Sequence, residues 1–168
     1  ATDVVQDAND LKQLIPMVNQ AKANVARSLP EGMAQEIQRV LADAGYHSAA
    51  NLEDLEKLGV EGFIPRKALW RIEQDIRTYG RPQGRMKQGL TRVERMERKL
   101  RTGAGYFTYK QRGRTIEPVF GQIKHGFDAR PRRGLQNAKA DGSLLCLAHN
   151  LKTLRTTKLA KKQAPENP

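Results

Sequence analysis

Two short apolar runs, "IQRVLAD" at 37–43 and "VEGFIP" at 60–65, lie either side of a stretch with helical spacing, and this order limits the available folds more than any other feature. The first run rises through Ile37, Val40 and Leu41 and stops at Asp43-Ala44-Gly45; the second is closed by Pro65. Between them Ser48 can cap a helix that uses Leu52, Leu55 and Leu58 and ends before Gly59. Strands joined through a helix run parallel, because the helix carries the chain back to the end from which it left. The class is therefore α/β. Upstream, "ATDVV" reads as a short extended start, and Leu11, Leu14, Ile15, Val18 and Val25 recur at helical spacing behind Asn9 or Asp10 as a cap. Pro16 predicts a kink or a late start for that helix. Two or three short strands do not hold a sheet by themselves, so partner strands are expected upstream of Ala1.

Beyond Pro65 the text becomes helical and basic. From Arg66 to about Gly89 the text loses its period, and "RTYGRPQGRMKQG" at 77–89 reads as a Gly- and Arg-bearing loop or extension. "TRVERMERKL" predicts a charged helix with Glu94/Arg98 and Glu97/Arg101 as i,i+4 pairs. A further helix passes through Ile116, Phe120 and Ile123, and a last one uses Leu144, Leu145, Leu147, Leu151 and Leu154. The organisation expected is an acidic α/β part (1–65), a basic loop and helix extension (66–102), helices closing the core (103–156), and a disordered polar tail (157–168).

The charge follows the same division. Residues 1–65 carry a net −5, residues 66–133 a net +13 and residues 134–168 a net +4, giving the overall +12. Arginine dominates the middle block, and its planar fork matches phosphate oxygens. That asymmetry points to nucleic acid as partner rather than to a merely solvated surface. No apolar run is long enough to span a bilayer and no signal-peptide pattern opens the chain, so a cytoplasmic protein with no membrane contact is expected. The single Cys146, in "SLLCLAHNL", has no metal-spaced partner and reads as a buried, inert thiol. His47, His125 and His149 form no ligand cluster; His149 is expected to satisfy local hydrogen bonds.

Asp43 follows a strand, where open α/β sheets gather reactive groups, and Gly45 leaves room around its carboxylate. Capping a turn is an equally good account of Asp43. In "TIEPVFGQIK", helical spacing puts Arg114, Glu117, Gly121 and Lys124 on one face, beside an apolar stripe of Ile116, Phe120, Ile123 and Phe127 that would dock the helix. Pro118 either kinks that helix or marks its first turn. Two carboxylates framed by arginines suit Mg²⁺ or Mn²⁺ and phosphoryl transfer, a weak signal taken alone.

"LADAGYHS" together with "GRTIEPVFGQIKHGFDARPRRGL" resembles the second and third signature regions of insertion-sequence DDE transposases; "MERKLRTGAGYFTYKQRGR" and "LLCLAHNLKTL" are similar to that family's text around and after its glutamate. The resemblance implies a ribonuclease-H-like fold, of which this chain is the C-terminal part. It implies that Asp43 and Glu117 are the second and third acids of a metal-binding triad, in a two-metal site in the intact enzyme. It implies that Lys124, with Arg112, Arg114, Arg130, Arg132 and Arg133, contacts DNA. The family's arginine four residues before the glutamate is replaced by Gly113 here. The first acid is not matched: Asp3, Asp7 and Asp10 are the early candidates, and "ATDVVQDANDLKQL" resembles the third strand and its helix instead. The function implied is metal-dependent DNA cleavage and strand transfer by a nucleoid-associated homo-oligomer, with DNA binding alone expected of these residues. The alternative is a non-catalytic, arginine-rich nucleic-acid-binding remnant.

Overall fold

Ser48 Oγ accepts a hydrogen bond from the Asn51 amide at 3.0 Å and so starts the helix on which the topology turns. In the computed structural model, which describes residues 4–5, 7, 9–28, 36–127 and 133–163, this helix is α2 (Ala49–Lys57). It connects β1 (Arg39–Leu41) to β2 (Glu61–Phe63), which pair in parallel with Val40 opposite Gly62. The expected order of strand, crossover helix and parallel strand is present. Gly62 is there for space: a Cβ would stand 2.8 Å from Leu55 Cδ1, so the buried Leu55 side chain would have to shift.

Asn9 caps a 3-10 turn (Asp10–Gln13) that runs into α1 (Leu14–Ser28). Pro16 falls in the first turn of the α-helical part, where a missing amide costs least. Leu14 and Val18 of α1, Leu52 and Leu55 of α2, and Ala42, Val60 and Ile64 beside the strands form one buried cluster. Phe63, Ile72, Leu100 and Tyr109 form a second, and Met96 packs against both. The segment "LPEGM", expected as a loop, lies outside the described residues.

Residues 66–89 are not all loop. α3 (Leu69–Tyr79) buries Ile72 and half-buries Ile76, and ends at Gly80, whose φ of 74° suits glycine. Leu69, Ile72 and Ile76, at i, i+3 and i+7, pack on the second cluster, to which α4 (Arg92–Arg101) supplies Leu100. In α4 the expected i,i+4 pairs give way to other bonds. Glu94 turns back to the Thr91 amide at 2.8 Å in a capping box. Arg98 Nη2 donates to the carbonyls of Gln83 and Gly84 at 2.9 and 2.8 Å.

The described residues divide into two compact units, one within residues 7–115 and the other within residues 116–163 together with Val4 and Val5. α5 (Gly103–Gly126) contains the division, and α6 (Leu135–Gln163) belongs to the second unit. Pro118 lies well inside α5, so it does not mark a helix start, and Glu117 gains nothing from a positive helix terminus. Helix continues to Gln163, so the tail expected from residue 157 is helical over its first part. Beyond Tyr109, much of the apolar surface of these helices is not core: Ile116 and Phe120 on α5, and Leu144, Leu147, Leu151 and Leu154 on α6, are exposed. A small two-stranded sheet beside mostly helical chain is the observed architecture.

Candidate acid site and nucleic-acid contacts

β1 ends when the Ala42 amide bonds the Phe63 carbonyl at 3.3 Å, and Asp43 is the next residue. Its carboxylate accepts from the Gly45 amide at 3.0 Å and caps a 3-10 turn over Ala44–Tyr46. Asp43 thus caps a turn, and it also stands at the carboxyl end of a parallel strand. A Cβ on Gly45 would lie 3.2 Å from Asp43 Oδ1, so glycine does leave room around the carboxylate. Gly45 is not among the positive-φ glycines, which makes space its reason rather than backbone freedom.

The turn is tied down on both sides. His47 Nδ1 donates to the Ile64 carbonyl at 2.8 Å, which fixes Nδ1 as the protonated nitrogen. Asn51, buried, donates through Nδ2 to the Leu11 and Tyr46 carbonyls, each at 2.8 Å. Burial first, then the negative charges of Asp10 and Asp43, push the Tyr46 hydroxyl above the ordinary tyrosine range. Asp10 thus belongs to the surroundings of Asp43. Periodicity had no means of finding the Asn51 clamp, because its partners are 40 and 5 residues away.

Arg112, expected on DNA phosphate, stands with Nη2 3.5 Å from Asp43 Oδ2. The contact is long, and the Asp43 side chain is half exposed, so it holds charge in place without adding much stability. Arg114 is exposed on α5. In the second unit, Glu117, Gly121 and Lys124 follow one another along one face of α5, and Glu117 and Lys124 are exposed. An added Cβ at Gly121 would meet nothing within 4 Å. Arg133 is exposed just before α6, whereas Arg130 and Arg132 lie outside the described residues. His149 is buried with Nδ1 lacking a hydrogen-bond partner among the described residues, contrary to the expected local satisfaction.

The donor chemistry at Asp43 and Glu117, hard carboxylate oxygen, suits a divalent cation. The number of donors falls short: among the described residues no three His, Cys, Asp or Glu side chains stand together. Much of the basic block is also occupied internally. Arg92 pairs with Glu53 and Glu56 at 3.4 and 3.0 Å, and Arg95 with Glu56 at 3.6 Å. Lys99 Nζ reaches the Gly62 carbonyl and Glu61, each at 2.9 Å, above the Phe63 ring. Arg77, Arg85 and Arg101 make no ion pair among the described residues.

Fold and site together define a basic chain with an exposed carboxylate at the end of a parallel strand. Residues 2–151 match the family described as the transposase DDE domain, and the chain belongs to that family. Among curated proteins and solved structures none matches at a significant level. No helix among the described residues is long and apolar enough to cross a membrane.

Proposed function

We propose that these residues are the part of a DDE transposase catalytic region that carries the second and third acids, on a ribonuclease-H-like framework. The observation that carries this reading is Asp43. In a chain of the transposase family it follows a parallel strand, its carboxylate is half exposed, a glycine keeps the space beside it open, and Arg112 faces it. In the intact enzyme Asp43 and Glu117 would supply two of the carboxylates for Mg²⁺ or Mn²⁺, which lends charge stabilisation to phosphoryl transfer when bound. Lys124, Arg112, Arg114, Arg130, Arg132 and Arg133 hold DNA phosphates during cleavage at the transposon ends and joining to target DNA, in a homo-oligomer at the nucleoid.

DNA binding without cutting is expected of residues 1–168, because the resemblance matches only the second and third acids, Asp43 and Glu117, in this sequence. The competing reading is a non-catalytic DNA-binding remnant, for which substitution of Asp43 or Glu117 would leave DNA affinity unchanged or improved. Duplex affinity should fall by about 10³-fold between 50 and 200 mM salt if roughly six phosphates are contacted. Incubation of the same duplex with Mg²⁺ should leave it intact. Nicking in Mg²⁺ that disappears in Glu117→Ala would instead show that an early aspartate, Asp3, Asp7 or Asp10, completes the acid set.

A further inference from the structure

We propose that the cavity between α3 and α4 binds a single unpaired nucleotide of a DNA strand. The inference rests on the DNA-binding reading and adds a second point of contact, since the cavity shares no lining residue with Asp43. Its floor is apolar: Pro65, Ile72 and Leu100 are all buried. Its volume of about 260 Å³ lies below the roughly 300–1,000 Å³ of typical small-molecule sites, so it admits one ring system and no longer segment.

The rim supplies what a nucleotide needs. Tyr79, 75% exposed, is free to lie over the base face that the floor does not cover. Two carboxylates line the cavity, each already facing a cation: Asp75 with Lys67 at 3.1 Å and Glu97 with Arg66 at 3.9 Å. Paired in this way they do not repel a phosphate, and their remaining lone pairs can accept from base amino groups. Arg101 also lines the cavity and makes no ion pair among the described residues. Its guanidinium is the uncommitted charge, suited to the phosphate at the mouth. A purely apolar ligand would leave Arg101 unused, and a free anion would leave the floor and Tyr79 unused.

The test uses residues 1–168 and two fluorescent duplexes of one sequence, the second with one extra unpaired nucleotide in one strand. The bulged duplex should bind about tenfold tighter, the scale of one stacked base. Tyr79→Ala and Arg101→Gln should each reduce that preference to about twofold or less, while Tyr79→Ala leaves affinity for the paired duplex unchanged. Neither side chain is part of the buried core, and circular dichroism checks that both variants fold. No preference in the wild type, or a preference that survives both substitutions, overturns the cavity as the site. Failure to bind either duplex overturns the DNA reading itself, and the cavity with it.

Discussion

At Gly45 and Gly121 the same atom is missing for opposite reasons. A Cβ at Gly45 would press on the Asp43 carboxylate, whereas one at Gly121 would meet open space. Gly45→Ala should therefore destabilise the chain by about 1 kcal/mol, as small overpacking does, measured by urea denaturation. Gly121→Ala should stabilise α5 by about 1 kcal/mol, the usual helix preference for alanine over glycine, and should weaken duplex binding. The open space at Gly121, beside Glu117 on one face of α5, suits the approach of a phosphate backbone, and a Gly121→Ala variant that binds DNA as the wild type does would contradict that use. The space around Asp43 was legible in the sequence because it depends on a neighbour two residues away. The Arg112 contact was not, since 69 residues separate the partners and only the folded chain brings them together.

Among the elements, α2 and its flanking strands could be read in advance because Ser48, the leucine spacing and Gly59 all give the same answer. α3 was missed although Leu69, Ile72 and Ile76 stand at helical spacing, because the arginines around it and Gly80 after it give the text of a loop. The helical spacing of Leu144, Leu147, Leu151 and Leu154 was visible, but period alone does not say whether a face is covered. Glu61 adds to the pairing between elements by bridging Arg39 of β1 at 3.1 Å and Lys99 of α4 at 2.9 Å. The Lys99 hydrogen bond and charge, with a smaller contribution from Arg39, hold the Glu61 carboxyl below the ordinary glutamate range against the effect of burial. A lowered carboxylate stabilises the fold above its unfolded pKa, and that contribution is lost as pH falls through the folded value. Glu61→Gln should therefore lower the denaturation midpoint at pH 7 and have little effect at pH 3. An equal loss at both pH values would mean that Glu61 acts through packing.

Over the whole molecule, the acidic start and basic middle are partly joined to each other, through Glu53 and Glu56 with Arg92 and Arg95. The charge left for a polyanion is therefore smaller than the +13 of residues 66–133 suggests. Family membership gives the class of chemistry, and the acids give the place to look for it. On this account Asp43 and Glu117 are metal-binding acids beside the DNA. This is tested most directly by measuring duplex affinity in MgCl₂ against NaCl of matched ionic strength, for the wild type, Asp43→Asn and Glu117→Gln. A gain specific to Mg²⁺ in the wild type that is lost in both variants is the predicted result. The same response to Mg²⁺ in all three proteins would contradict it.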